Sequence, residues 1–355
     1  MSTHSVGEVP DDDESQVVSV GRSRIEEFRG PLTDLAKHPA AALGCFLVAM
    51  MIAMTFANEH FLTRNNLVAM GLAVSVIGIA AVGQTFVIIS AGIDLSTESV
   101  IALTSILVAD LLRDGAPIGT VLVLALLLGC GCGLLNGLII SQLRVNPVIA
   151  TLGTMTLFRG LARLYAEGRT IAVGNSTIRS IGVDELPGGI PIPVVIMFAC
   201  FAIGSAVLVW TTFGRSTYLI GDNLEAARLA GIRTKLVQAG VYTVAGLFSA
   251  IAGIMFTAMV GAGLPNGASG TSLTVIAAVI LGGTSLTGGI GRMGGTLIGV
   301  LVLGVIDNAL ILLHVRSDWQ LVVVGAVLIA AVALDQGRLR ISEIGLAKRT
   351  ARRDR

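Results

Sequence analysis

Six ionisable side chains stand inside or against long apolar runs, and their spacing limits the chemistry they could share. The carboxylates are Asp94, Glu98, Asp110 and Asp307; the cations are Arg159 and Arg163. Transport driven by protons or sodium needs carboxylates deep in lipid, each costing roughly 2.5–3.5 kcal/mol to insert. Here all four lie near the end of a run or at a turn. Asp307 is the deepest, and snorkelling or a bond to a neighbouring helix accounts for it. Arg159 and Arg163, four residues apart, share one helix face near the outer end of their run, where long side chains reach headgroups. Cys45, Cys130, Cys132 and Cys200 all sit in apolar runs. Cys130 and Cys132 point to different helix faces, so they read as small packing residues and not as a chelating pair. No metal, cofactor or thiol chemistry is expected. The chain contains no GxxxxGK[ST], HExxH or GxSxG pattern, so it does not bind ATP by the usual loop. A membrane enzyme would need converging ionisable groups, which these runs lack.

Polar residues within the runs are the remaining candidates. Gln84, Asn136, Thr154, Asp307 and Asn308 are expected to line or shape a path through the bundle, with interhelical hydrogen bonds as the alternative role. Outside the runs the sharpest signal is Gly221-Asp222-Asn223-Leu224-Glu225-Ala226-Ala227-Arg228-Leu229-Ala230-Gly231-Ile232. Asp222 is a good N-cap, Glu225 three residues on completes a capping box, and Gly231 supplies a left-handed stop. The expected two-turn helix exposes Ala226, Ala227, Leu229 and Ala230, small enough to enter a groove on a partner. A plain surface helix is the competing reading. Two turns echo each other, Ala91-Gly92-Ile93-Asp94-Leu95-Ser96 and Gly282-Gly283-Thr284-Ser285-Leu286-Thr287, as do the strings around Asn136 and Asn308. The two offsets, 191 and 172 residues, disagree by about one span, so any duplication is imperfect.

The elements that must position these residues are membrane spans. Hydrophobic residues make up 54% of the 355 and charged residues 13%, and the mean hydropathy is +0.84, which excludes a soluble core. A helix needs roughly 20 mostly apolar residues to cross lipid. The spans read as Pro39–Phe56, Asn66–Ser90, Thr97–Leu112, Pro117–Leu143, Pro147–Tyr165, Ile190–Trp210, Leu236–Val260, Ser272–Leu281, Gly294–Leu313 and Trp319–Leu334. The third and eighth are short and are read as tilted, broken or re-entrant. With both termini inside, the cytoplasmic connections carry 17 Lys and Arg and the other side 7, the sense of the positive-inside rule. The expectation is an all-α polytopic bundle of about ten transmembrane helices with both termini cytoplasmic. A disordered acidic head (1–37) precedes the membrane domain (38–335), which carries a cytoplasmic loop at 213–235 and an outer loop at 166–189. A basic tail (336–355) follows, suited to anionic lipid heads. The 44 glycines let helices approach closely. Aromatics are only 5%, which argues against a sugar cage of stacked rings.

Four strings carry a specific resemblance. They are Gly83-Gln84-Thr85 through Gly92-Ile93-Asp94-Leu95-Ser96, Asn146 through Met155, Asp222 through Ile232, and Leu281 through Gly291. Together they resemble the ribose-type permease family of bacterial ATP-binding-cassette importers, from about Asn66 to Leu334 and in the family's order. Two departures stand out. Ala91 occupies a usual Gly position, and Thr97-Glu98 replace a usual small pair, which bears on the geometry and polarity of that turn. The resemblance implies a permease subunit in the bacterial inner membrane that imports a monosaccharide or small polyol. It implies two permease copies, alike or different, two ATP-binding cassettes on the cytoplasmic face and a soluble sugar-binding protein outside. It makes the 222–232 segment the coupling helix, with Asp222, Asn223, Glu225, Ala226, Ala227, Arg228 and Gly231 meeting the cassette, and Gly92, Asp94, Gly282 and Gly283 structural turns. No nucleic acid is implied. The rival reading is an ion-driven secondary transporter or channel for a small polar solute.

Overall fold

The computed structural model describes residues 39–316, 318–319 and 322–333. The acidic head (1–37) and the basic tail (336–355) expected from the sequence lie outside them. Helices occupy every apolar run: α1 Pro39–Ala57, α2 Arg64–Ile89, α3 Thr97–Arg113, α4 Ile118–Leu143 and α5 Pro147–Tyr165. After β1 (Ile171–Ala172), α6 (Ser176–Val183), β2 (Glu185–Leu186) and β3 (Ile190–Pro191) come α7 (Ile192–Trp210), α8 (Thr212–Asp222) and α9 (Leu224–Leu229). The chain continues through α10 (Thr234–Val260), β4 (Ala262–Gly263), α11 (Thr271–Leu281) and α12 (Met293–Leu312) to α13 (Val322–Ala333). Among the described residues five helices, α2, α4, α7, α10 and α12, are long and apolar enough to cross a membrane.

Local chemistry sets the ends. Asn146 accepts from the Val148 N–H at 2.9 Å with Pro147 opening α5, the arrangement that suits an N-terminus with a spare N–H. Stops use left-handed residues: Gly261 (φ 71°) after α10, and Arg144 (φ 58°) after α4. Ala91 has φ 60° where a left-handed alanine costs about 1 kcal/mol. The turn therefore keeps a glycine's geometry although its sequence departs from glycine.

The core is organised around α10. Along α4, Gly129, Gly133 and Gly137 face Ala250, Gly246, Tyr242 and Ala239 of the antiparallel α10. A Cβ at Gly133 would stand 2.1 Å from the Tyr242 carbonyl oxygen, and one at Gly246 2.1 Å from that of Gly129. The two backbones touch directly, which is how helices gain packing energy where no hydrophobic force drives association. α3 runs parallel to α10, with Ile101 and Thr104 beside Gly253 and Ser105 bonded to Thr257 at 2.8 Å. Gly92 lies against the Tyr242 hydroxyl, so residues 91–96 rise through the middle of the bundle and α3 starts inside it. α11 also starts inside, its first residues bonded to the start of α3. The two short runs are thus broken helices, one of the forms their lengths leave open.

Two small antiparallel pairings tie the connections at the α3 exit. Ile171 pairs with Gly263 and Ala172 with Ala262, while Glu185 pairs with Pro191 and Leu186 with Ile190. α6 packs on the end of α10, with Gly182 against Ala258, and Arg64 forms an ion pair with Glu185. The long 166–189 connection is therefore held on the body.

Candidate translocation and coupling sites

At one end of the bundle α8, α9 and the start of α10 form a helical corner. α9 is only six residues long, and its cap is Asn223, whose Oδ1 accepts from the Ala226 N–H at 2.9 Å. This corrects the expectation of Asp222 as N-cap with a Glu225 capping box. α8 stays helical through Asp222, and the Asn223 N–H is already donated to Leu219 O at 3.1 Å, leaving Glu225 nothing to reach back to. The stop is as expected: Gly231 has φ 84°, with Ile232 N–H bonded to Ala227 O and Gly231 N–H to Arg228 O, the paired bonds of a Schellman ending. Ala226, Leu229 and Ala230 are exposed, Leu229 at 87%. Ala227 is the correction on this face: it is buried and packs inward. Glu225 and Arg228 point to a cleft of about 870 Å³ shared with Arg144, Asn146, Arg233 and Lys235. The Lys235 ammonium donates to Gln142 Oε1 at 3.0 Å across it.

This corner is locked to the ends of two other elements. A Cβ at Gly221 would stand 1.8 Å from Ile89 O, and the same oxygen accepts from the Gly289 N–H at 2.9 Å. The Tyr218 hydroxyl donates to Gly291 O at 2.8 Å. Burial raises the Tyr218 phenol above its ordinary pKa, so it stays a donor at neutral pH. Gly282 and Gly283 (φ 89°) turn the chain between α11 and this end, Gly282 in contact with the Gly295 carbonyl.

In the middle, two of the predicted polar residues, Gln84 and Asn136, meet the 91–96 segment. Asp94 Oδ1 accepts from both the Ser96 N–H at 2.8 Å and the Ser96 hydroxyl at 2.6 Å. Asn136 donates from Nδ2 to that hydroxyl at 2.8 Å. Gln84, oriented so that both its amide atoms are satisfied, bridges the backbone N–H and C=O of Asp94 at 3.2 Å each. All four residues are buried, and Gln84 supplies partners for a peptide that no helix serves. Thr154 is buried and bonds back to Ala150 O on its own helix. Asn308 stands apart, on α12, exchanging two hydrogen bonds of 2.7 and 2.9 Å with Asn66 of α2. Asp307 is half-buried one residue before it.

The sequence reading missed the ionic centre. Arg159, expected to reach headgroups, turns inward and pairs with Glu98. The second Glu98 oxygen accepts from the Gly270 N–H at 2.7 Å, at the start of α11. The Glu98 N–H donates to Ser272 Oγ at 3.0 Å, and that hydroxyl donates to Leu95 O at 2.9 Å. A carboxylate at the positive end of a helix is favourably placed. Arg163 likewise turns to a loop, its Nε donating to Asn266 Oδ1 at 2.9 Å. An arginine in an apolar run with no carboxylate at helical spacing was the available signal, because it demands a distant partner.

A protein-family model described as "branched-chain amino acid transport system / permease component" matches residues 66–332. The ribose import permease protein of Bacillus subtilis (strain 168) is 42% identical over 296 residues, covering 83% of this chain and 91% of that protein. The L-arabinose transport system permease protein of Escherichia coli (strain K12) is 38% identical over 298 residues, 81% of this chain and 87% of its own length. The D-allose transport system permease protein of the same strain is 34% identical over 300 residues, 82% and 90% respectively. No solved structure matches.

Proposed function

This chain belongs to the family of branched-chain amino acid transport system permease components, and we propose that it is the membrane subunit of an ATP-driven sugar importer. It is a multi-pass inner-membrane protein and a transport subunit, not an enzyme. Its curated relatives serve ribose, L-arabinose and D-allose, so the cargo is a monosaccharide or similar small polyol. An importer permease of this kind works with an ATPase subunit and a substrate-binding protein. The observation that carries the reading is 42% identity to a ribose permease across 83% of the chain. The absence of an ATP loop of its own agrees with it.

The finer assignment is as follows. Two copies, alike or different, enclose the path. Ten crossings put both termini in the cytoplasm, five by length and apolarity alone and the others as shorter or more polar spans. The head (1–37) and the tail (336–355) flank the membrane domain (38–335), the tail against anionic lipid. α9 within the 213–235 connection is the coupling helix, and its exposed Ala226, Leu229 and Ala230 enter a groove of the cassette. Glu225 and Arg228 pair with it at the rim, while Asn223 and Gly231 fix the ends. Gln84, Asn136 and Asp94 hold the broken segment beside the path, with Thr154, Asp307 and Asn308 on neighbouring helices. The binding protein docks over the 166–189 connection. ATP supplies the free-energy difference between outward- and inward-open states, since a site of equal affinity in both could not pump.

The test is capture of the chain from native membranes with identification of co-purifying subunits, followed by reconstitution and D-ribose, L-arabinose and D-allose uptake. ATP-dependent uptake that needs the binding protein is expected. Glu225→Ala with Arg228→Ala should leave ATP hydrolysis running while uptake falls at least about tenfold, the loss of a rim contact worth roughly 1.4 kcal/mol. Uphill uptake by the isolated chain without nucleotide would refute the reading.

A further inference from the structure

Three polar contacts climb one side of the bundle along the last turns of α5. At the top the Tyr165 hydroxyl donates to Asp110. One step down Arg163 donates to Asn266, and below it Arg159 pairs with Glu98, which also holds Gly270. Six residues separate Tyr165 from Arg159, a descent of about 9 Å. Glu98 lies three residues before Ile101, which sits beside Gly253, seven residues inward from the end of α10. The bottom of the ladder is therefore about 15 Å inside the bundle by helical rise.

This side is open on the chain. Arg163, Asn266, Ser269 and Thr156 are exposed, and the Arg159 side chain keeps 21% of its surface. Arg159 Nε is itself buried, so what Arg159 offers outward is the exposed fifth of its side chain. Open arginines at this depth cannot face hydrocarbon at an acceptable cost. A partly exposed guanidinium with exposed hydroxyl and amide groups around it suits a solute made of hydroxyls, which both donates and accepts.

We propose that the α5 stripe of Thr156, Arg159 and Arg163, with Asn266 and Ser269 opposite, is the wall of a water-filled route for a neutral polyhydroxylated solute. Arg159 is the contact residue at its deepest point. Glu98 is a positioning residue that orients and neutralises Arg159, and its second oxygen is held by the start of α11. The inference rests on the importer reading and assigns the route to a surface that the sequence candidates Gln84 and Asn136 do not reach.

Cysteine accessibility tests it in the reconstituted complex, with Cys45, Cys130, Cys132 and Cys200 replaced by serine. Thr156→Cys and Ser269→Cys should react with a membrane-impermeant methanethiosulfonate at least about tenfold faster than Leu127→Cys and Ile203→Cys, because only a hydrated thiol ionises readily. Leu127 and Ile203 are apolar, exposed positions on α4 and α7. Labelling at Thr156→Cys should block uptake, and D-ribose should slow it. For the positioning role, Glu98→Gln in the Thr156→Cys background should raise the rate with a sulfonate-bearing reagent relative to a trimethylammonium one by about fivefold, since one cation is left unneutralised nearby. Arg159→Gln should shift that ratio the other way. A purely structural pair would leave the ratio unchanged and overturn the positioning role. Reactivity at both cysteines no greater than at the two controls, or oxidative cross-linking of Thr156→Cys between copies with no reagent labelling, would overturn the route. Uptake without any ATPase would remove the importer reading and leave the labelling result standing. ATP-driven uptake with unreactive cysteines would sink this proposal alone.

Discussion

The α4–α10 crossing makes a prediction whose size follows from its geometry. Gly133→Ala places a methyl 2.1 Å from Tyr242 O, 2.9 Å from Tyr242 C and 3.0 Å from Thr243 Cα. All three are backbone atoms of a buried helix and cannot swing aside. Restoring an ordinary contact of about 3.4 Å requires the helices to part by about 1.3 Å near the middle of their longest shared seam, and a gap of that size forfeits a large part of each dispersion contact along it. Overpacking of this kind costs about 1–3 kcal/mol. Gly131→Ala on the same helix is the control, since nothing lies within 4 Å of its new methyl. Both changes carry the same gain in helix propensity, roughly 1 kcal/mol, so their difference isolates the clash. Thermal unfolding of the detergent-solubilised protein, followed by loss of the monodisperse peak, should show Gly133→Ala melting several degrees below Gly131→Ala, with Gly131→Ala at or above the parent. Equal melting temperatures for the two variants would refute the direct backbone contact.

Other expectations are simpler. Asn66→Ala and Asn308→Ala should each destabilise by about 1–2 kcal/mol, and the double variant should lose less than their sum, because each amide is the other's partner; a double-mutant cycle on melting midpoints checks this. Asn223→Ala removes the only side-chain cap of a six-residue helix, worth about 1 kcal/mol. Protease nicking near residues 223–231 should rise while membrane content holds. Gln84→Leu leaves the N–H and C=O of Asp94 without their amide bridge. It should cost about 1–3 kcal/mol by stranding the buried Asp94 N–H, because the carbonyl keeps the Thr97 hydroxyl at 3.5 Å, read as lost yield of folded protein.

The helices were readable because each run is mostly apolar and carries few charges, and some also begin with a capping residue. The second was expected at Asn66–Ser90 and is found at Arg64–Ile89; the fifth, opened by Asn146-Pro147, has the expected bounds. The lengths of α3 and α11 marked them as unusual but left tilted, broken and re-entrant spans equally open. The Asp222 cap failed by one residue because a preceding helix ran further than the loop composition suggested. Ala227 could not be oriented, since a short segment of alanines carries no face until its neighbours are known. The Glu98–Arg159 pair was illegible for a different reason: its members lie 61 positions apart, and no local spacing joins two helices across that distance. Only the cost of an unpaired arginine pointed that way.

The contact at Ile89 has a consequence for movement. Its carbonyl oxygen is met by Gly221 on one side and by the Gly289 N–H on the other, so the junction holds no slack. If the α8–α9 corner is displaced, the shared Ile89 oxygen carries α2 and the 282–292 hairpin with it. Three elements that meet at one atom share a pivot, and none can tilt without tugging on the others.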